Sequence, residues 1–146
     1  MTFIWQRAVD RSPLLPRLRL ERPDGGRETF ELATGKPMVI AFWSRYCPPS
    51  YAQLAEMDRT LQRLIAEDVP VLSITDEDLA KVRPFLEQNG YGFPVYADPE
   101  SDASRAFDRP GTPTYFVLDA EGRIRFESNH VSDVVRYVYA IRTAIS

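Results

Sequence analysis

The segment that most constrains the fold is a continuous apolar run, Met38–Trp43 (M-V-I-A-F-W), which is followed closely by C-P-P-S. Such a run is typical of a strand that is buried on both faces of a sheet. Beyond it, apolar side chains recur at steps of three and four residues, which predicts an amphipathic helix. These side chains are Leu54, Met57, Leu61, Leu64 and Ile65. Pro48 and Pro49 fit the first turn of that helix, so Cys47 is predicted at a helix N-terminus directly after a core strand.

The rest of the chain alternates between shorter strands and helices. Leu18–Arg22 and Glu28–Leu32 flank a P-D-G-G turn and predict a β-hairpin. Further strands are predicted at Val69–Thr75, Thr114–Leu118 and Ile124–Glu127, with a short extended piece at Phe93–Ala97. Helices are predicted from Asp76 or Asp78 to about Gln88, at Ser101–Phe107 and at Val131–Ile145. This order predicts an α/β fold in which helices flank a mixed central sheet. We divide the chain into an irregular lead-in, residues 1–17, and a single domain, residues 18–146.

The composition excludes several classes of protein. With 18 basic and 21 acidic side chains among 146 residues, the chain has a net charge of −3 and lacks the basic stripe of a nucleic-acid binder. One Cys and one His cannot form a Cys/His zinc site, and we predict neither a metal nor another cofactor. No apolar run approaches the roughly 18 residues of a membrane span. Gln6 and Arg7 interrupt the apolar residues of Met1–Asp10, so no secretory signal is visible.

Two motifs carry a resemblance to a known family. F-W-S-R-Y-C-P-P-S (Phe42–Ser50) resembles the F-W-x-x-W-C-P-P-C signature of the TlpA-like thioredoxins, which are bacterial thiol:disulfide oxidoreductases. G-T-P-T-Y-F-V-L-D (Gly111–Asp119) resembles their G-x-P-T-x-F-x-I-D segment, whose proline is cis and faces the active cysteine. The resemblance spans roughly residues 14–146. It implies a thioredoxin-like fold, Cys47 as the redox-active residue, and a cis Thr112–Pro113 bond opposite it.

The chain departs from the family pattern at several positions. Ser50 stands where the family has its second cysteine, and Tyr46 replaces the tryptophan before the first cysteine. Gln53 and Ala55 replace an acidic residue and a proline in the helix, and Ala41 lies where thioredoxins place a polar or acidic residue under the site. The residues that would shuttle protons during a two-cysteine exchange, which the family has at positions 53 and 41, are therefore both missing.

Cys47 still has the setting of a reactive thiol. The positive end of a helix favours thiolate over thiol, Arg45 adds positive charge, and the Ser50 hydroxyl could donate a hydrogen bond to the sulfur. A thiolate attacks a disulfide to give a mixed disulfide, which an outside thiol must release when the chain has no second cysteine. We therefore expect monothiol exchange, disulfide shuffling or a reduction that depends on an external thiol. The expected partner is a cysteine-containing protein substrate or a low-molecular-weight thiol, and the protein is expected to be a monomer.

A docking surface for the substrate is predicted around the cysteine. Its apolar rim is predicted to comprise Trp43, Tyr46, Pro48 and Pro110. The alternative is that these residues belong to the core and to ordinary turns, and it applies most to Trp43. The Thr112 backbone precedes a proline that opens a central strand, and it is expected to pair with an extended substrate strand.

His130 is a candidate partner of the cysteine. The resemblance places the turn before the last helix beside the cysteine loop, and a Cys–His pair there could activate the thiol. The alternative for a single loop histidine is a solvated side chain. The resemblance also implies a periplasmic or cell-envelope location if a signal or anchor has been removed, and the alternative is the cytoplasm.

Other functions stay open at this level. The chain could be a non-catalytic thioredoxin-fold module that keeps the groove beside the cis proline for binding a protein. Ser50 could also be an engineered Cys→Ser change that traps the partner of a dithiol oxidoreductase, although one change would not account for Tyr46 or Gln53. A peroxidase of the peroxiredoxin type shares the fold, and Ser44 matches its hydroxyl position. Ile40, however, stands where such a peroxidase has a proline.

Overall fold

The computed structural model describes residues 17–145, and within them the strands form one seven-stranded sheet. The strands are β1 (Arg17–Glu21), β2 (Arg27–Glu31), β3 (Met38–Phe42), β4 (Val71–Thr75), β5 (Tyr96–Ala97), β6 (Thr114–Leu118) and β7 (Ile124–Ser128). Their order across the sheet is β2-β1-β5-β4-β3-β6-β7. The strand β4 pairs in parallel with both β3 and β5. The remaining pairs, which are β1 with β2, β1 with β5, β3 with β6 and β6 with β7, are antiparallel. The predicted mixed sheet with an N-terminal hairpin is confirmed.

Helices cover both faces of this sheet. They are α1 (Pro48–Ala66), α2 (Leu79–Gln88), α3 (Asp102–Ala106) and α4 (Val134–Ile145). Asp78 caps α2, because its carboxylate accepts a hydrogen bond from the Ala80 amide at 2.9 Å. The last predicted helix begins as a 3-10 turn, Val131–Asp133, which precedes α4.

Some predicted boundaries differ from those in the structure. The strand β5 has two residues, at the end of the short extended piece that the sequence predicted for Phe93–Ala97. Pro94 has no amide hydrogen to offer to a neighbouring strand, which favours a late start for β5. The strand β1 includes Arg17, which the sequence analysis assigned to the lead-in. The rest of that predicted lead-in, residues 1–16, lies outside the described residues.

The strand β3 is buried on both faces, as its apolar run predicts. Because side chains alternate along a strand, its residues divide between two apolar cores. Val39 and Ala41 pack in the core that includes α1, α2 and α4. Met38, Ile40 and Phe42 pack in the core that includes the hairpin and α3. The loop that follows β3 and carries the cysteine therefore starts from a strand that is held on both sides.

Neither a membrane span nor a metal site is found in residues 17–145. None of their helices combines the length and the apolar character needed to cross a bilayer. The same residues contain no group of three or more His, Cys, Asp or Glu side chains that could hold a metal ion.

Candidate active site

Cys47 lies at the N-cap of α1, between the end of β3 and the two prolines of the first helical turn. Its side chain is partly exposed. Its Sγ atom is 2.9 Å from the carbonyl oxygen of Thr112 and acts as the donor. A carbonyl oxygen accepts hydrogen bonds, so the thiol is the donor in this contact.

The helix end offers the sulfur fewer amides than its position alone predicts. Pro48 and Pro49 have no amide hydrogen, and the Tyr51 amide donates to the Cys47 carbonyl at 2.9 Å. No side chain caps the helix at Cys47. The first turn therefore offers the sulfur few free amides, and the helix dipole remains as the source of the predicted stabilisation of a thiolate.

The Thr112–Pro113 peptide bond is cis, as the resemblance implies. Pro113 is buried directly before β6, and Thr112 is half-buried. The strands β6 and β3 are antiparallel neighbours, with Thr114 paired to Phe42. The loop before β6 and the loop after β3 therefore meet at the same edge of the sheet, which brings Thr112 to Cys47.

Ser50 is buried and shapes the cysteine loop from inside. Its Oγ accepts a hydrogen bond from the Ser44 amide at 3.0 Å. In the described part of the chain it makes no hydrogen bond to Cys47, so the predicted donation to the sulfur is not formed. Ser50 instead fixes the turn that leads into α1.

Arg45 is paired with an acidic residue and does not supply free positive charge to the sulfur. Its Nε lies 2.8 Å from Glu77 Oε1, and its amide donates to Glu77 Oε2 at 2.7 Å. The Glu77 side chain is only 6% exposed, whereas its neighbours Asp76 and Asp78 are exposed. The guanidinium also lies over the rings of Tyr46 and Phe85, at 5.2 and 5.4 Å.

Trp43 does not line an exposed docking surface. Its side chain is 1% exposed, and its Nε1 donates to Ser73 Oγ at 2.6 Å. Its ring packs edge-on against Phe93, with the centroids 5.5 Å apart. The assignment of Trp43 to substrate binding is therefore wrong, because the indole belongs to the core beneath the site.

The exposed part of the predicted rim lies on the α1 side of the cysteine. Tyr46 is 76% exposed, and Pro48 is also exposed. Tyr51, which is not among the predicted rim residues, is 53% exposed and lies one helical turn after Cys47. On the opposite side, half-buried Pro110 and Thr112 line a pocket of about 120 Å³. We call the group of Tyr46, Pro48 and Tyr51 the aromatic rim.

The predicted pair of Cys47 and His130 is not formed. His130 is exposed at the start of the 3-10 turn. Its amide donates to Ser128 Oγ at 3.0 Å, and among residues 17–145 its imidazole makes no hydrogen bond to the cysteine. His130 therefore matches the alternative that the sequence left open, a solvated loop side chain.

Gln53 and Asn129 connect α1 to the Thr112–Pro113 loop, and the sequence analysis gave neither residue this role. The Gln53 side chain bonds to Asn129, Val131 and the Tyr115 hydroxyl. That hydroxyl is buried, and burial raises the pKa of Tyr115. The sequence feature that could have indicated this role is the position of Gln53 beside Leu54, at the margin of the apolar stripe of the helix.

The chain is also similar to known proteins. The AhpC/TSA family matches residues 14–127, which is more than half of the chain. The thiol-disulfide oxidoreductase ResA of Bacillus subtilis is 24% identical over 123 residues, which cover 84% of this chain and 69% of ResA.

Solved structures share the arrangement of helices and strands. The exposed lipoprotein thioredoxin Etrx1 of Streptococcus pneumoniae has a TM-score of 0.70 and 19% identity, over 85% of this chain and 98% of Etrx1. A secreted disulfide oxidoreductase of Mycobacterium tuberculosis has a TM-score of 0.68 and 19% identity, over 84% of this chain and 95% of its own. The chain therefore has the thioredoxin fold of the thiol-disulfide oxidoreductases, and it belongs to the AhpC/TSA family.

Proposed function

We propose that this protein is a monothiol thiol:disulfide exchange protein in which Cys47 is the nucleophile. The observation that carries the proposal is the placement of a partly exposed Sγ at the N-terminus of α1, 2.9 Å from the Thr112 carbonyl. That carbonyl belongs to the loop directly before β6, in which Thr112 is half-buried. A reactive sulfur and a backbone partner for the substrate thus lie side by side.

The first step is attack on a disulfide. Cys47 gives up its proton to solvent, and the thiolate attacks one sulfur of the substrate disulfide. A Cys47–substrate S–S bond forms as the original S–S bond breaks, and the leaving thiolate takes a proton. One disulfide replaces another, so this step involves no net oxidation or reduction.

The second step needs a thiol from outside the chain. Cys47 is the single cysteine of the sequence, and the oxygen of Ser50 cannot form a disulfide. If a small thiol attacks the Cys47 sulfur, it releases the substrate thiol, and a second small thiol then restores Cys47. This route reduces the substrate disulfide and leaves the small thiol as its own disulfide. If a second cysteine of the substrate attacks instead, the substrate leaves with a rearranged disulfide.

Substrate docking is assigned to the two sides of the cysteine. The aromatic rim offers an apolar face with little cost in side-chain entropy, because tyrosine and proline have few rotatable bonds. The Thr112 backbone offers hydrogen bonds to an extended peptide. A cysteine-containing segment of a protein fits both features, and glutathione or another small thiol fits the releasing role.

We also place the protein in the cell envelope, acting as a monomer. Similar proteins are described as an exposed lipoprotein and as a secreted oxidoreductase, which supports this location. Disulfides persist in such oxidising compartments, so a protein that exchanges them would meet its substrates there.

The proposal is tested with glutathione disulfide and intact-mass spectrometry. The native protein should gain one glutathionyl group on Cys47, and Cys47→Ala should gain none. Urea-denatured protein serves as the reference for an unassisted thiol. A native adduct that forms no faster than the denatured one would refute the proposal, because the fold would then add nothing to the reactivity of the cysteine.

The aromatic rim also supports a second candidate, a binding module that does not need the thiol. Two of the exposed large apolar side chains, Tyr46 and Tyr51, flank the cysteine. In that case Cys47→Ala would bind the same partner with unchanged affinity. Loss of binding in Cys47→Ala would exclude this candidate.

A further inference from the structure

We infer that Gln53 is a positioning residue for the exchange site, and that it acts through Asn129 on the loop that faces Cys47. The inference rests on the proposed function, since it concerns the same sulfur. Gln53 lies six residues after Cys47 on α1. The loop of Thr112 and Pro113 precedes β6, so the nucleophile and this loop are carried by different elements of the fold. A side chain that joins the two sets the distance between nucleophile and substrate-binding backbone.

The side-chain amide of Gln53 makes three hydrogen bonds. Its Oε1 accepts hydrogen bonds from the Val131 amide at 2.9 Å and from the Tyr115 hydroxyl at 3.1 Å. Its Nε2 donates to the backbone carbonyl of Asn129 at 2.9 Å. Glutamine presents an acceptor and a donor at one end of its side chain. The position therefore uses an amide, since a carboxylate would direct an oxygen at the Asn129 carbonyl.

Asn129 carries the connection onward to the substrate-binding loop. Its Nδ2 donates to the Pro113 carbonyl at 3.0 Å and also lies 3.4 Å from Thr114 Oγ1. Because Gln53 holds the Asn129 backbone, it fixes the position from which the Asn129 side chain reaches the Pro113 carbonyl. The next carbonyl upstream, that of Thr112, is the one that contacts Cys47 Sγ at 2.9 Å.

This chain of contacts gives Gln53 a function beyond holding the fold. Disulfide exchange needs the attacking sulfur and the substrate sulfur in line, and displacements of about 1 Å at a reacting centre can cost up to a hundredfold in rate. Release of the Asn129 link lets the Thr112 backbone move relative to Cys47. The sulfur itself stays where α1 places it. The expected defect is therefore in the reaction with an extended peptide and not in the reactivity of the thiol.

The test compares two reactions of Cys47 in matched variants. One is exchange with a cysteine-containing peptide joined to glutathione by a disulfide, and the other is alkylation by iodoacetamide. Gln53→Met and Asn129→Ala should each slow peptide exchange about tenfold and leave alkylation unchanged. The double variant should be no slower than the slower single one, because both residues act through one link. Gln53→Glu keeps the two accepted hydrogen bonds and should be intermediate, which gives a reading even if Gln53→Met does not fold.

Gln62→Met is the matched control. Gln62 lies on the same helix, but it is exposed and bonds only to Asp58 among the residues described. It should leave both reactions unchanged. Three outcomes would overturn the inference: unchanged peptide exchange in Gln53→Met and Gln53→Glu, a parallel loss of alkylation, or effects that multiply in the double variant.

A readout without thiol chemistry separates this inference from the proposed function. The side-chain amide resonances of Asn129, followed by NMR, should shift toward solvent-like values in Gln53→Met. If wild-type protein does not exchange with the peptide at all, the proposed function fails. The NMR shift then still decides whether Gln53 holds Asn129, and resonances that stay in place would contradict the link.

Discussion

At its C-terminal end α1 is tied to α4 by charged side chains, whereas at its N-terminal end Cys47 faces the Thr112 carbonyl. Glu67, which follows α1, accepts hydrogen bonds from Arg63 Nε and Tyr139 Oη, each at 3.1 Å. Arg142 donates to the Glu67 carbonyl at 3.0 Å. The C-terminal end of α1 is thus held by the hydrogen bonds and ion pairs of Glu67.

The N-terminal end of α1 has fewer stabilising contacts and is more exposed. Two prolines remove amides, no side chain caps the helix, and the sulfur is partly exposed. A helix end without a side-chain cap is costly for stability, and a partly exposed thiol is accessible to an incoming disulfide. The helix α1 is therefore held at its C-terminal end, and its more open N-terminal end is where we propose the exchange chemistry.

The largest expected effect comes from restoring a second thiol at the reactive end. Ser50→Cys places a sulfur in the same turn as Cys47, so it can attack the mixed disulfide from within the chain. Release of a bound peptide without added thiol should become at least about a hundredfold faster, because the attack is intramolecular. Stopped-time acid quenching and mass spectrometry measure the release.

Thr143→Cys is the control for this change. It adds a second cysteine at an exposed position of α4, away from the reactive end. It should leave release dependent on glutathione. Equal rates for the two variants would show that the position of residue 50 gives no advantage.

The next effect concerns the charge of Arg45. Glu77→Gln removes the negative partner while keeping a side chain of the same size, so the guanidinium charge becomes available to the site. Alkylation of Cys47 by anionic iodoacetate should rise about two- to fivefold relative to neutral iodoacetamide, since one such charge is worth up to about 1 kcal/mol. The gain should fall at high salt.

Glu87→Gln is the control for Glu77→Gln. It breaks an exposed ion pair with Arg83 on α2 and should not change the ratio of the two alkylation rates. If Glu77→Gln also leaves the ratio unchanged, Arg45 does not influence the sulfur even when it is free. That result would confine Arg45 to a structural role.

A smaller effect is expected from the aromatic rim. Tyr46→Ser removes an exposed ring next to the cysteine, and an interface side chain of this kind contributes about 1 kcal/mol. The KM for a peptide disulfide should therefore rise about fivefold, while exchange with glutathione disulfide stays constant. Ile65→Ser, at the anchored end of α1 and 43% exposed, should change neither rate. An unchanged KM in Tyr46→Ser would remove Tyr46 from the docking surface.

The smallest effect is expected at the anchored end, and it is a matter of stability. Hydrogen bonds from Arg63 and Tyr139 lower the pKa of Glu67 below its usual 4.5. A lowered pKa stabilises the fold fully above pH 4.5, and this contribution disappears as the pH falls through the folded-state value. Glu67→Gln should therefore lower the midpoint of urea unfolding slightly at pH 7, and the difference should shrink under acidic conditions. Exchange rates should not change, and a difference that grows in acid would contradict the assignment.

Much of this comparison was predictable from the sequence. The apolar run of β3, the prolines after Cys47 and the spacing of Leu54 and Met57 place the cysteine at a helix N-terminus, as the structure confirms. The family resemblance added the contact with Thr112. These features depend on local patterns, which a sequence displays directly.

The remaining features depend on partners that are distant along the chain. Glu77 lies 32 residues from Arg45, and nothing local distinguishes it from a solvated acid. Trp43 could have faced either way, because the register of a strand end depends on packing with Phe93. Gln53 acquires its role only when the chain brings Val131 beside α1. Sequence patterns name such residues without showing what they touch.

The most direct test of the account follows the mixed disulfide of Cys47 after all small thiols have been removed. The substrate is a peptide with one cysteine, joined to a small thiol by a disulfide, so that neither partner holds a spare sulfur. The Cys47–peptide adduct should persist in mass spectra until glutathione is added and should then disappear. Failure of native Cys47 to form the adduct, or its decay without added thiol, would contradict the account.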